Sequence, residues 1–131
     1  PPVTVRIWTR YAPGVSASDT SAYGRGTTPE DVAGGRVTPR STSLGFHEGA
    51  HGLAFLEYIA AHPAPAFTGT VGMTETAFQA AITTWTDALR QYNRDLEAYS
   101  LAQVDCVGTT IDAHHAAEAA AGETITAVCR P

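Results

Sequence analysis

Lysine is absent from this chain: all eight basic side chains are arginines, scattered between Arg6 and Arg130. They form no patch with interleaved aromatics, and the net charge is −5. A polyanion would find no electrostatic footprint here, so nucleic acid is excluded as an expected partner. Long apolar runs are also missing. The best candidate, "GLAFLEYIAAH", is interrupted by Glu57 and ends at Pro63, short of the roughly 18 residues that span a bilayer. No membrane insertion is expected. Cysteine is scarce, with only Cys106 and Cys129. Their spacing is neither a C-x-x-C redox motif nor a zinc ribbon. One disulfide closing the C-terminal segment is the economical reading and implies an oxidising compartment, secreted or periplasmic. Two buried free thiols are the alternative. The opening "PPVTVRIW" has neither an initiator methionine nor a basic-then-apolar leader and reads as a mature or excised domain. No repeat or low-complexity tract occurs.

What is present fits one domain over residues 1–131, long enough to bury a core. "VTVRIW" (residues 3–8) alternates like a half-buried strand, and "RVTPRST" reads as a second, short edge strand. Residues 11–36, rich in Gly, Ser, Thr, Pro and Asp, predict a long loop with at most short structure. A first helix is expected from about Ser43, as cap, to Ala61, ended by His62-Pro63. The second is the clearest element. Phe78, Ile82, Trp85, Leu89, Tyr92, Leu96 and Tyr99 recur at spacings of four and three, an apolar stripe for core packing. Thr76 and Gln79 suggest a capping box at its start. After a turn at Gly108, "IDAHHAAEAAAGE" predicts a short third helix closed at Gly122, and "TITAVC" (residues 124–129) alternates again.

Chemistry concentrates in "SLGFHEGAHGLAFLEYIAAHP", residues 43–63. His47-Glu48-Gly49-Ala50-His51 is an HExxH run. Residues four apart on a helix lie about 40° apart around the axis, so both imidazoles reach one ion from one face. Glu48, at the edge of that face, is placed to take a proton from an attacking water. Two neutral imidazoles, an open coordination position and a nearby carboxylate are what zinc hydrolysis requires. Chance alone gives such a run in about one sequence in a hundred of this composition, before a helix is demanded. The bland alternative is a hydrogen-bonded pair of helix histidines.

A third ligand is needed. Glu57 follows His51 by six residues, but on a continuing helix it lies about 240° round and points elsewhere. Glu75, Glu97 and His62 lack a supporting pattern. The remaining candidates cluster in "VDCVGTTIDAHH" (residues 104–115): Asp105, Asp112, His114 and His115.

"GTTIDAHH" resembles a loosened aspzincin signature, G-T-x-D-x-x-Y-G, with Asp112 one residue late and His115 where the tyrosine would stand. The stretch from His47 to His115 also resembles small secreted bacterial zinc peptidases of the DUF922 type. There, HExxH is followed by a long helix and a D-x-x-T-x-H segment. Both resemblances imply a zincin and favour Asp112 as third ligand, with His115 in reserve. The fold implied is α+β, zincin-like: a metal helix packed on the long second helix, with a small β-sheet on one side. The activity implied is a Zn²⁺-dependent metallopeptidase, a hydrolase in which Glu48 is the catalytic base and His47, His51 and Asp112 or His115 hold the metal. His114, His115 or Tyr99 is expected to donate to the developing oxyanion. A bridge from Cys106 to Cys129 would brace the segment carrying Asp112. The expected partner is a protein or peptide substrate. A reading as the toxin or effector module of a larger bacterial secreted protein adds an immunity protein that inhibits it. The rivals are a non-catalytic binding module with structural or absent zinc, and a zinc amidase acting on cell-wall peptides.

Overall fold

The structure, a computed structural model, describes residues 6–119 and 127–129. Four α-helices carry it: α1 (Pro29–Ala33), α2 (Leu44–Ala61), α3 (Glu75–Val104) and α4 (Ile111–Glu118), with one turn of 3-10 helix at Arg25–Thr27. Each α-helix starts at a Ser or Thr hydroxyl that accepts a backbone N–H three residues on: Thr28 from Asp31, Ser43 from Phe46, Thr74 from Ala77 and Thr110 from Ala113. Such caps satisfy amides that a helix start leaves without a partner. For α3 the cap is Thr74, two residues before the expected Thr76. The long loop completes the start of α2, because the carbonyls of Asp19 and Ala17 accept the N–H groups of Leu44 and Gly45 at 2.6 and 2.9 Å. The turn that carries the HExxH run is thereby anchored from outside the helix.

The expected α+β architecture is corrected here: the described residues are helical and contain no sheet. Their one β-type pairing is an isolated antiparallel bridge between Thr20 and Ser43. The segment expected as an edge strand, residues 36–42, folds into a turn instead. The Thr38 carbonyl accepts both the N–H (3.1 Å) and the hydroxyl (3.0 Å) of Thr42, and the Ser41 hydroxyl donates to the Arg36 carbonyl at 3.1 Å. These local bonds take up backbone groups that a ladder would need. Of the expected strand 3–8, residues 3–5 lie outside the described residues, and residues 6–8 form no ladder. Ile7 lies over Gly52 of α2, where an added Cβ would stand 3.7 Å from its Cγ2. Of the alternating stretch 124–129, residues 124–126 lie outside the described residues, and 127–129 are irregular, with Cys129 tied to Cys106. The expected stop of the third helix at Gly122 also lies outside them.

The body of the fold is the α2–α3 pair. The two run antiparallel, since His51 meets Ser100 while His62, just past α2, meets Tyr92. Ala50, Ala54 and Val104 are buried at the contact, with Tyr99 packed against them. Small side chains on α2 let the helices approach closely where the site lies. At 18 and 30 residues, α2 and α3 are about 27 and 45 Å long, so the N-terminal part of α3 projects beyond its partner. The connection between them covers that part. Phe67 packs edge-on against Phe78 and Trp85, and the Trp85 indole N–H donates to the Pro65 carbonyl at 2.9 Å. The predicted stripe is therefore half-buried, and Phe78 remains 41% exposed. None of the described helices is long and apolar enough to cross a membrane.

Candidate metal centre

The i, i+4 spacing on α2 brings the His47 and His51 rings together edge-on, with centroids 4.9 Å apart. The Nε2 atoms of both lie 3.1 Å from the same oxygen, Oδ1 of Asp105. Asp105 is the C-cap of α3, and its N–H bonds to the Leu101 carbonyl. His47 and Asp105 are buried, at 5% and 4% exposure, whereas His51 is partly open. A carboxylate at a helix C-terminus opposes the helix dipole by about 0.3–1 kcal/mol, so a cationic or donor-rich partner is needed there. Burial pushes the Asp105 carboxyl up, but hydrogen bonds from His47 and His51 and their charge outweigh it and bring its pKa down to about 2.

Each imidazole is held differently. His51 Nδ1 lies 2.8 Å from the hydroxyl of buried Ser100, one turn before Val104 on α3. In the metal-free protein His51 Nε2–H donates to Asp105. Where a metal takes the place of that proton, a proton on Nδ1 donated to Ser100 gives the tautomer a metal ligand requires. His47 is fixed by packing. The Tyr23 ring meets it edge-on at 4.8 Å, and its buried Nδ1 has no hydrogen-bond partner. Gly24 lies against that nitrogen with φ +96°, and a Cβ there would stand 2.8 Å from Nδ1. Only glycine meets both demands. The Gly24 loop is tied to the end of α3: its N–H donates to the Thr109 carbonyl at 2.9 Å, and Arg25 Nε donates to the Gln103 carbonyl at 2.7 Å.

The ligand atoms of His47, His51 and Asp105 all lie within 4.8 Å of one another. Bonds of about 2.0–2.1 Å to a tetrahedral zinc would set ligand atoms about 3.3 Å apart, and the two 3.1 Å separations to Asp105 are close to that. The group fits a metal ion. Glu48, half-buried, lines two cavities with His51: one of about 360 Å³ beneath residues 7–12 and one of about 350 Å³ between α2 and α3. Tyr23 stands near the same charges. Burial first, then the negative charges of Asp105, Glu48 and Glu118, raise its phenol pKa and keep it a donor.

The other candidates are placed elsewhere. Asp112, in the first turn of α4, accepts the N–H groups of Val128 (2.7 Å) and Cys129 (2.8 Å). His114 lies against the Tyr23 ring at 5.2 Å and 3.4 Å from Glu118, while the His115 ring is 5.9 Å from that of His114. Neither Asp112 nor these two histidines belongs to the group around His47 and His51. Tyr99 donates to Glu57 at 3.4 Å, and His62 donates from Nδ1 to the Tyr58 carbonyl. Glu75 opens α3. Glu97 shares a cavity with Glu48 and His51.

Cys106 and Cys129 form a disulfide, with Cα atoms 5.5 Å apart. It joins the neighbour of Asp105 to the residue whose N–H Asp112 holds, and so braces both aspartates. The sequence places Asp105 among four clustered candidates, and the resemblance of "GTTIDAHH" to the aspzincin signature favours Asp112 over it. The physical signal for Asp105 was an acid where a 30-residue helix ends, a position its dipole disfavours. Tyr23, Gly24 and Ser100 had no sequence signal, since only the folded chain brings them to the histidines. No protein-family model, curated protein or solved structure matches the chain.

Proposed function

We propose that the protein is a zinc-dependent metallopeptidase whose metal is held by His47, His51 and Asp105. What carries this reading is the convergence of both Nε2 atoms on one Asp105 oxygen, beside cavities lined by Glu48. A zinc ion supplies Lewis acidity and makes a water a usable nucleophile near neutral pH. The chain's own residues do the rest. Glu48 takes the proton from the attacking water and passes it to the departing amine. Tyr23, kept protonated beside His47, donates to the carbonyl oxygen as negative charge grows on it. Ser100 and the Gly24–Tyr23 loop hold the two imidazoles in orientation. The disulfide agrees with work outside the cytosol, in a secreted or periplasmic setting. An effector module with a cognate immunity protein is one biological form of that setting.

One observation favours the rival, a binding module without catalytic zinc: Asp105 Oδ1 already accepts from both histidines, so the cluster satisfies itself. Elemental analysis with hydrolysis assays separates the two. The proposal expects about one zinc per chain, lost in His47→Ala. It expects Glu48→Gln to keep the zinc while peptide hydrolysis falls about 10²–10⁴-fold. A protein that takes up no zinc, or a Glu48→Gln variant of undiminished activity, would falsify the proposal. Cell-wall peptides assayed beside ordinary ones distinguish an amidase from a proteinase.

A further inference from the structure

Phe55 lies one turn beyond His51 on α2, on the same helical face. It lines both cavities that Glu48 and His51 share, so one aromatic side chain stands beside both groups in each; a third cavity, lined by Glu48 without His51, lacks it. In the larger cavity its neighbours include, beside Thr9, Arg10 and Tyr11, apolar side chains that the fold leaves open to solvent: Ile7 at 40%, Val15 at 40% and Trp8 at 76%. Exposed apolar groups gathered around one hollow, rather than scattered singly, mark a place where something apolar binds. Leu101 contributes to the other hollow from α3. Each cavity has one further charged group, Arg10 in the first and Glu97 in the second. Their signs are opposite, so substrate charge of either sign is not favoured across both. At about 360 Å³ the larger cavity is near the lower end of ligand-site volumes, which suits one large side chain better than a compact folded surface.

We infer that the substrates are unfolded or extended peptides with a large apolar or aromatic side chain next to the scissile bond, seated against Phe55 between the 7–15 segment and α2. Phe55 is then the residue that sets specificity. This rests on the metallopeptidase reading and names the substrate class for that site. The bound side chain exchanges water for Phe55, Ile7, Val15 and Trp8, and discrimination comes from apolar area removed from water.

The test digests a mixture of synthetic peptides of defined sequence with the zinc-loaded protein and maps the cleaved bonds by mass spectrometry. A peptide pair that differs only by Phe or Ala beside the cleaved bond is then compared. Cleavage is expected mainly next to Phe, Leu, Ile or Met, with kcat/KM for the Phe peptide at least about tenfold above that for the Ala peptide. Phe55→Ala should erase most of that ratio and Phe55→Leu should keep most of it, with zinc content and helical circular dichroism unchanged in both. Calorimetry with zinc-loaded Glu48→Gln reads the same preference as affinity, without turnover. Cleavage with no preference for large apolar residues overturns this inference and leaves the peptidase reading standing. Absent cleavage with a retained Phe-over-Ala affinity ratio does the reverse, keeping the apolar site and removing the peptidase. Absent cleavage with equal affinities removes both.

Discussion

The two ends of the α2–α3 pair are built on opposite terms. At one end polar side chains are buried beside Ala50, Ala54 and Val104: His47, Ser100 and Asp105, each 6% exposed or less. At the other, Phe67 packs on Phe78 and Trp85, and both phenylalanines remain more than a third exposed. Burying imidazoles and a carboxylate is a poor way to hold two helices together, because unpaired polar groups cost far more than apolar ones gain. The aromatic end, the half-buried stripe of α3 and the disulfide add cohesion to the Ala50, Ala54 and Val104 contact, and the polar end spends part of it on a preorganised group able to hold a metal ion. The contrast marks the candidate site: the end where burial and polarity coincide.

The largest effect expected from breaking the contrast is at the two aspartates, which differ in surroundings though seven residues apart. Asp105→Asn should weaken zinc binding about a hundredfold or more, since a neutral amide replaces the anionic ligand. Asp112→Asn should leave one zinc bound and loosen only the tether to Val128 and Cys129. Competition with a chromophoric chelator measures both. Equal losses in the two variants would mean that the ligand group is not the one around Asp105.

A smaller effect sharpens the electrostatic half of the comparison. In the metal-free protein the Asp105 pKa is depressed to about 2, from an ordinary value of about 3.9. The stabilisation is present above the ordinary value and is lost as pH falls through about 2. It amounts to something on the order of 2 kcal/mol. Urea unfolding of the apoprotein, from about pH 5 downward, should show wild type losing more stability than Asp105→Asn by that amount. Parallel curves would show that the histidines do not hold the carboxylate as described.

The smallest effect lies at the aromatic end. Trp85→Phe keeps the ring packing and removes the bond to the Pro65 carbonyl, for a loss of about 1 kcal/mol in chemical unfolding. Its zinc affinity should equal that of wild type. A loss of zinc in this variant would show that the two ends are coupled and that the separation drawn above fails.

Much of this arrangement was legible from residues. Ser43 and Pro63 bracket α2 closely, and the spacing of Phe78 to Tyr99 marks α3, because capping and 3.6-residue periodicity are local physics. The expected edge strand over residues 36–42 is absent for an equally physical reason. A short alternating stretch says that one face is apolar, not that a neighbouring strand exists to complete a ladder. In residues 36–42, threonine and serine hydroxyls captured the backbone first.

By itself, the sequence determined the two long helices, the His47–His51 pair one turn apart with Glu48 beside it, and a pair of cysteines able to close the C-terminal segment. Each follows from contacts within a few residues or from a count that leaves a single pairing. Tertiary structure alone decided which acid meets the histidines. That depends on where α3 stops beneath α2 and on the turn that carries Asp112 away to α4, and both are set by packing between segments distant along the chain. The same holds for Tyr23, Gly24 and Ser100, which converge on the imidazoles only when the long loop and α3 close around α2.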